Sequence, residues 1–275
     1  MSRFLTRFAL VGALVLVLGP PAGLPAHAGG QSPFCYNVDF ANNTSEDATG
    51  LLAQFGGIQH VDEVYTGGWN PFGAPTPASG YDPQTDAYTL EFTGGPAYTG
   101  DTVHAGLCTD SPVLLSPATG NVPPLAWLTA AGRVTPDPLF VGVRWMWTGP
   151  NSAEVKLFNQ GPADVTLMTV NLLDPGEPLA LEDLIPGVVA GLPIIDELIT
   201  EPAPLAAGSM VSSRSAFVQD TAAATVGAFG TTASAVNRPV VLEVVYQADD
   251  DPGNVGHLYV QVLTPSWVYL PMVLR

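Results

Sequence analysis

The densest group of side chains with a recognisable chemistry is an acidic loop close to the C-terminus. Asp249, Asp250 and Asp251 are consecutive, and Asn254 follows a Pro-Gly pair. Calcium takes about six to eight oxygen ligands, and exported modules bind it weakly. Three adjacent carboxylates repel each other, so a bound cation would stabilise the loop. One interpretation is therefore a calcium site formed by these four residues. The other interpretation is a plain acidic turn, since Pro-Gly-Asn favours a turn without any metal.

Aromatic residues form the second candidate site. Tyr65, Trp69, Phe72 and Tyr81 lie in and beside a stretch rich in glycine and proline. Exposed rings on a loop can bind the faces of sugars, because Trp and Tyr combine a flat apolar area with a polar tip. The alternative is that the rings fold back and cap the end of the domain, as satellite clusters do under long loops. The first interpretation predicts a carbohydrate-binding site at these four residues.

The histidines do not predict a catalytic or metal site. His60, His104 and His257 are far apart in the sequence, and no pair has the short spacing of metal ligands on one element. The sequence also lacks the Gly-x-Ser-x-Gly elbow, the phosphate-binding loop and the dinucleotide fingerprint. A Ser-His-Asp triad stays open because it forms in space rather than in sequence. We therefore predict no catalytic residues and expect a protein that is not an enzyme.

The two cysteines predict a disulfide. Cys35 and Cys108 are an even pair, which in an exported chain favours one bridge. Closing so long a loop stabilises a fold by about 4 kcal/mol in the chain-entropy description. Two free buried thiols are the alternative, and a metal pair is disfavoured because no further His or Cys is close in sequence.

Composition excludes two classes of protein. The chain has 275 residues, with 8 Lys and Arg against 25 Asp and Glu, and a formal net charge of −17. A nucleic-acid-binding protein needs basic residues to neutralise phosphates, which this chain lacks. A disordered acidic chain would be poor in apolar residues, yet 47% of this one is hydrophobic. We expect a folded protein without a nucleic-acid partner.

The N-terminus predicts export. Residues 1–28 have a positive start at Arg3 and Arg7, an apolar segment over 8–18 and an Ala-His-Ala cleavage pattern ending at residue 28. The apolar segment is shorter than the roughly 20 residues of a membrane-spanning helix, so a cleaved signal peptide is favoured over an uncleaved anchor. No later apolar run is long enough to span a membrane. We expect a secreted protein, either extracellular or at the cell surface.

Short apolar and β-branched segments separated by turn residues predict an all-β sandwich. The chain contains 29 Gly and 27 Pro, scattered throughout, and few runs of good helix formers. The segments that alternate or carry β-branched residues are Tyr36–Phe40, Tyr88–Phe92, Thr102–Leu107, Phe140–Trp147, Glu154–Phe158, Thr166–Leu172, Pro239–Tyr246 and His257–Leu263. One segment, Leu179–Ile199, has apolar residues at helical spacing and is interrupted by prolines, which predicts one or two short helical turns.

An internal repeat divides the chain. Residues 38–51 align without gaps to residues 155–168, and a second pair of turns follows at 98–101 and 205–209. The matched positions of the first pair share residue type: Asn42 with Asn159, Asp47 with Asp164, and Thr49 with Thr166. Duplication is the favoured explanation, and turn chemistry common to all β-hairpins is the alternative. A boundary near 148–152 then gives domain one over 33–148, domain two over 153–264 and a C-terminal tail over 265–275.

The turns carry a family resemblance. Asn159-Gln160-Gly161 and the later turn 205–209, together with Asn42-Asn43-Thr44 in the first half, resemble the immunoglobulin-like, adhesion-type β-sandwich domains of secreted bacterial proteins. This resemblance implies two immunoglobulin-like sandwiches in tandem, with a short helical insertion in the second. It also implies a non-catalytic role as a spacer or binder.

The C-terminal residues 267–275 resemble a short aromatic-Leu-Pro-aliphatic terminus found on some exported bacterial proteins. They form either a recognition tail for surface attachment or a last edge strand. Together these features predict an exported, non-enzymatic structural or adhesive module at a bacterial cell surface, whose partner is a surface polysaccharide or protein. A carbohydrate-binding protein that uses the aromatic loop is the second expectation, and a secreted hydrolase is the third.

Overall fold

The computed structural model describes residues 34–116, 123–134, 138–149, 152–215 and 239–263, which belong to one compact unit. The predicted signal peptide and the predicted C-terminal tail lie outside the described residues. Within those ranges the protein is almost entirely β, and this confirms the all-β prediction. No helix of the described segments is long and apolar enough to cross a membrane.

The largest element is an eight-stranded sheet, called here the central sheet. Seven of its strands form a continuous antiparallel series, and the eighth pairs with the second of them. In spatial order they are β12 (Ile194–Glu197), β11 (Val165–Leu173), β15 (Pro239–Ala248), β16 (Val255–Leu263), β1 (Phe34–Ala41), β6 (Thr102–Thr109) and β3 (Val61–Val64), with β13 (Ala203–Leu205) on β11.

Two smaller sheets complete the β structure. One has three strands, in the order β14 (Met210–Ser215), β10 (Ser152–Asn159) and β9 (Val141–Gly149). The other has five strands, in the order β4 (Gly80–Asp82), β5 (Ala87–Ala97), β2 (Ala48–Gly56), β7 (Leu125–Thr129) and β8 (Gly132–Val134).

One core joins all three sheets. Successive side chains of a strand point to opposite faces, and in β1 Tyr36, Val38 and Phe40 point into this core. They line the same small apolar cavity as Phe55 of β2 and Phe92 of β5. The central sheet therefore packs against the five-stranded sheet.

The second half of the chain contributes to the same core. Tyr246 of β15 is fully buried, and its hydroxyl donates to the Leu139 carbonyl at 3.5 Å, next to the start of β9. In the central sheet, β1 lies between β6 of the first half and β16 of the second. Because the halves share a sheet and a core, the arrangement as two immunoglobulin-like sandwiches in tandem is not confirmed.

The helical segment predicted in the second half is present and short. It comprises a 3₁₀ turn over Leu181–Asp183 and a single α-helical turn, α1, over Pro186–Val189. Proline at the first position of α1 favours its start, since that residue needs no backbone donor there. Leu184 and Val189 pack on the outer face of the central sheet, which is the face turned away from the main core.

The predicted disulfide is confirmed. Cys35 of β1 lies directly opposite Cys108 of β6, and the two sulfur atoms are bonded at 2.07 Å across 73 residues of chain. The bridge therefore links two neighbouring strands of the central sheet.

The predicted repeat corresponds to a repeated hydrogen-bond pattern. The Asn42 side chain donates to the carbonyls of Glu46 and Ala97 at 3.1 and 2.9 Å. Asn159 donates in the same way to Ala163 and Leu205, both at 2.9 Å. Both asparagines are buried, so each amide satisfies carbonyls that water cannot reach.

The second turn of each half also matches. The backbone amide of Gly100 donates to the Asn42 carbonyl at 2.7 Å, and that of Gly208 donates to the Asn159 carbonyl at 2.9 Å. Asp47 accepts from the Thr99 amide, as Asp164 accepts from the amide of Ala207. The sequence repeat therefore encodes one structural unit that is built twice.

We expect Asn42→Ala and Asn159→Ala each to lower the free energy of unfolding by about 3 kcal/mol. Each substitution removes two bonds donated by the side-chain amide and at least one accepted by its oxygen, at about 1 kcal/mol per bond. The Asn42 oxygen accepts a further bond from the Thr44 hydroxyl. Urea unfolding measures the change. Asn43→Ala, at an exposed position, is the matched control and should change stability by less than about 0.5 kcal/mol. Losses no larger than that of the control would contradict the role of the two amides.

Candidate functional site

The outer face of the central sheet carries a row of polar side chains. Asp39 of β1 lies directly opposite His104 of β6 on one side and His257 of β16 on the other. His104 Nδ1 contacts Asp39 Oδ1, and only 1% of His104 and 3% of Asp39 is exposed. His257 is half-buried, and its Nδ1 lies 3.0 Å from the hydroxyl of Tyr259.

The helical segment of the second half covers part of this row. The amide of Asn37 donates to the Leu184 carbonyl at 2.7 Å. Gln261 exchanges two hydrogen bonds with the backbone of Leu179, at 2.7 and 3.0 Å. Burial raises the pKa of the Tyr259 hydroxyl, and the nearby Asp39 carboxylate raises it further. The row is therefore an interior polar layer.

A loop after β3 covers the other end of the row. The Tyr65 amide donates to the Gly106 carbonyl at 2.8 Å, and the His104 amide donates to the Trp69 carbonyl at 3.1 Å. The Tyr65 hydroxyl is hydrogen-bonded to the Trp69 backbone. Gly67 is required between them, because a Cβ there would lie 2.6 Å from the Tyr65 hydroxyl. The loop is thus bonded to the edge of β6 and to itself.

Trp69 is the exposed aromatic residue of this loop. Its side chain is 58% exposed, and its ring lies edge-on to His104 with the centroids 5.2 Å apart and the planes at 84°. The buried Asp39–His104 pair therefore lies directly beneath an exposed indole. With His104 closed off from solvent, the pair supports the loop and does not reach a substrate in this arrangement.

The structure separates the four aromatic residues predicted to bind sugar. Tyr65 and Phe72 are buried, and Phe72 packs against Trp127 in the core with a centroid distance of 6.5 Å. Tyr81 lies on β4, where its hydroxyl donates to Asp86 at 2.9 Å. Buried rings cannot stack on a sugar, so Tyr65 and Phe72 cap the fold, and Trp69 is the member of the set that is mostly exposed.

The predicted calcium loop forms the hairpin turn between β15 and β16. Asp249 accepts from the Thr166 hydroxyl at 2.7 Å, and Asp251 accepts from the Gly253 amide at 3.0 Å. The Asn254 carbonyl accepts from the Ala248 amide at 3.0 Å. Two of the three carboxylates thus bond within the turn or to its neighbour. In the described ranges, no group of three or more His, Cys, Asp or Glu side chains is arranged to hold a metal ion.

The remaining histidine lies apart from the polar row. His60 is exposed, and its Nε2 lies 2.7 Å from Asp62 Oδ1. It therefore pairs with an acidic neighbour at the surface.

The two halves differ at the polar row. By the repeat alignment, Lys156 of β10 and Ser212 of β14 occupy the positions of Asp39 and His104, and they too lie directly opposite each other. Ser212 is exposed and Lys156 is half-buried, whereas the first-half pair is buried. The Asp39–His104 pair and the loop above it are therefore features that the first half has beyond the shared unit.

Comparison with protein-family models, curated proteins and solved structures finds no match to this chain.

Sequence reasoning did not identify Asp39 as part of a site. A signal was present, because Cys35, Asn37 and Asp39 alternate with apolar residues along β1. Such alternation normally marks a solvent-facing side, and here that side is covered by a loop and a helical segment from elsewhere in the chain.

We expect Asp39→Ala and His104→Ala each to destabilise the protein by about 3 kcal/mol, because each leaves an unpaired polar partner in the interior. The double variant should cost less than the sum of the two, with a coupling energy of about 1–3 kcal/mol. Urea unfolding of the four proteins measures this cycle. Lys156→Ala and Ser212→Ala at the equivalent positions are the controls and should show little coupling. If the losses of stability caused by Asp39→Ala and His104→Ala simply added in the double variant, the interaction between the two side chains would be contradicted.

We expect stability to fall above about pH 10. Burial raises the pKa of Tyr36 and Tyr246, so the folded state keeps protons that the unfolded chain releases near pH 10. This contribution is fully present below pH 10 and is lost as the pH rises, by about 1.4 kcal/mol per pH unit for each tyrosine. Urea unfolding at pH 8 to 11 measures it, and Tyr36→Phe should reduce the slope. A flat profile across pH 10 would contradict the burial of these hydroxyls.

Proposed function

We propose that this protein is an exported, non-enzymatic structural or adhesive module, held at a bacterial cell surface by one end. The observation that carries the proposal is the pairing of the first and last described strands. Phe34 at the start of β1 lies opposite Val262 at the end of β16. Both ends of the described chain therefore leave the same pole of the central sheet, and an attachment at either terminus would leave the opposite pole free.

The free pole includes three turns, 42–47, 98–101 and 249–254, which are together called here the distal pole; the second-half turn before β11 lies beside them, because the Asp249 amide donates to the Asp164 carbonyl at 3.0 Å. Strand pairing brings them together, because Ala41 lies opposite Thr102 and Gln247 lies opposite Val255. An adhesive module attached through its termini would present this pole to a partner.

The construction of the fold supports a module that keeps its shape. The central sheet runs through both halves, and the Cys35–Cys108 bridge joins two of its strands. The repeated asparagine turns further support an origin of the two halves from one immunoglobulin-like unit.

The charge of the distal pole restricts the kind of partner that it can bind. The distal pole carries exposed carboxylates, namely Glu46, Asp47, Asp101, Asp249, Asp250 and Asp251. The Lys and Arg residues of the described ranges lie on β8, β9, β10 and β14. The three turns carry these carboxylates and no Lys or Arg, so they repel copies of the protein and anionic surfaces, and the proposed partner is neutral or cationic.

We test the proposal with beads that carry the exported chain, residues 29–275, in two orientations. One set is coupled through the C-terminus, and the other through Asp250→Cys at the distal pole. The first set should bind cells or isolated walls of the producing bacterium several-fold better, because it leaves the distal pole free. Binding is counted by microscopy, with uncoated beads as the blank. Equal binding in both orientations would contradict presentation of the distal pole, and binding by neither set would contradict the adhesive role.

A further inference from the structure

We propose that a binding site for a neutral polysaccharide lies at the edge of the distal pole, built on the exposed rings of Tyr98, in one of its turns, and of Trp69, in the neighbouring loop. The site differs from the aromatic set predicted from sequence, because Tyr98 replaces three residues of that set. The inference rests on the proposed adhesive role for its biological setting, and it names the chemical class of the partner.

Trp69 is held in place before any ligand binds. Its carbonyl accepts from the His104 amide, and the Asn70 amide donates to the Gly67 carbonyl at 3.0 Å. Asn70 Oδ1 in turn accepts from the Phe72 amide at 3.0 Å, and the Phe72 ring is anchored in the core. A ring fixed on a bonded loop loses little conformational freedom on binding, which favours affinity.

Tyr98 is fixed in a comparable way. Its amide donates to Asp101 Oδ2 at 2.8 Å, and the Asp101 amide donates back to the Tyr98 carbonyl at 2.9 Å. Gly100 takes a positive φ of 90°, which a glycine adopts without strain, and its amide is bonded to Asn42. The Tyr98 side chain is 57% exposed on this closed turn.

The two rings belong to the same corner of the protein. A Cβ on Gly95, three residues before Tyr98, would lie 2.2 Å from the Pro71 carbonyl oxygen, so the loop of Trp69 packs directly on the end of β5. The Trp69 carbonyl is hydrogen-bonded to the amide of His104 on β6. The turn that carries Tyr98 ends at Asp101, directly before β6 begins. The two backbone attachment points are therefore three residues of strand apart, or about 10 Å.

The surroundings of the rings favour a sugar over an apolar partner. Thr66 lies in the Trp69 loop, and Thr99 and Asp101 lie in the Tyr98 turn; all three are exposed, so each ring belongs to a segment with exposed polar groups. Sugars combine apolar C–H faces, which pack on aromatic rings, with hydroxyl groups that donate to carboxylates. The mixed surface matches both parts of a sugar.

Charge restricts the ligand to a neutral glycan. Residues 34–116, which contain the whole corner, include no Lys or Arg, while Asp47 and Asp101 are exposed there. A uronic acid, sulfate or phosphate group would meet carboxylates and no cation, and like charges repel.

The second half provides an internal comparison. Ala206 occupies the position of Tyr98 by the repeat alignment, and it lies in an equivalent turn closed by the Ser209 amide donating to the Ala206 carbonyl at 3.0 Å. The turn therefore forms without an aromatic residue. Folding of the turn does not account for the exposed ring of Tyr98, and ligand contact does.

The test is electrophoresis of the exported chain in native gels that contain one polysaccharide each. The neutral probes are hydroxyethylcellulose, glucomannan, arabinoxylan and pullulan, and polygalacturonate is the anionic probe. We expect at least one neutral probe to retard the protein and polygalacturonate not to. Trp69→Ala should weaken binding about tenfold, and Tyr98→Ala should weaken it by a smaller factor. Tyr81→Ala, an aromatic substitution on β4, is the matched control and should bind as the original protein does.

Several results would overturn the site. They are no retardation by any neutral probe, retardation that survives the Trp69→Ala and Tyr98→Ala substitutions together, and stronger retardation by polygalacturonate. Circular dichroism and the melting temperature verify that the variants fold, and Trp69→Phe, which keeps a ring, should retain part of the binding. If a polysaccharide retards the protein in gels but the oriented beads do not bind cells, the proposed role as a surface module is wrong and the proposed sugar-binding site stands.

Discussion

The structure depends on the pairing of β1 with β16. These strands are more than 200 residues apart in the chain, and they lie in register from Phe34 opposite Val262 to Asp39 opposite His257. The pairing merges the strands of two repeated units into one sheet and brings the two ends of the described chain to one pole. It also completes the polar row, because β16 supplies His257 and Tyr259 beside Asp39.

Burial of the Asp39–His104 pair is a cost that the surrounding structure must offset. Removing charged or polar groups from water is expensive, and an apolar pair of similar size would often be as stable. The contacts that cover the pair come from distant segments: Trp69 packs on His104, and Leu184 accepts a hydrogen bond from Asn37. The pair and its cover therefore form one contiguous group of contacts, in which an exposed ring lies on an interior polar layer.

Comparison of the two halves separates the residues that both copies of the repeated unit contain from those that only the first half contains. Both retain a buried asparagine at the end of a strand, Asn42 or Asn159, and both retain the aspartate that bonds the neighbouring turn. The residues that close the turns are among those the halves share. The side chains presented on those turns and on the outer face differ, with Tyr98 in place of Ala206 and Asp39 in place of Lys156. The residues that close the turns are therefore kept in both halves, and the side chains presented at the surface are not.

Local patterns in the sequence determined the elements of this protein. Alternating and β-branched segments predicted eight of the sixteen described strands, namely β1, β5, β6, β9, β10, β11, β15 and β16. The repeat predicted the paired asparagine turns, and an even pair of cysteines predicted the disulfide. The sequence also indicated which aromatic residues were candidates for a site. These features depend on neighbouring residues or on residue counts, which a sequence shows directly.

Only the tertiary structure decided which faces are covered. Alternation along β1 indicates two different faces, but it does not show that a loop after β3 and a helical segment of the second half bury the polar one. The same long-range packing places Tyr65 and Phe72 inside and leaves Trp69 outside, although all three come from one stretch of sequence. It also brings Trp69 to the corner where Tyr98 lies. Burial and convergence arise from contacts between segments far apart in the chain, and no local pattern of residues specifies them.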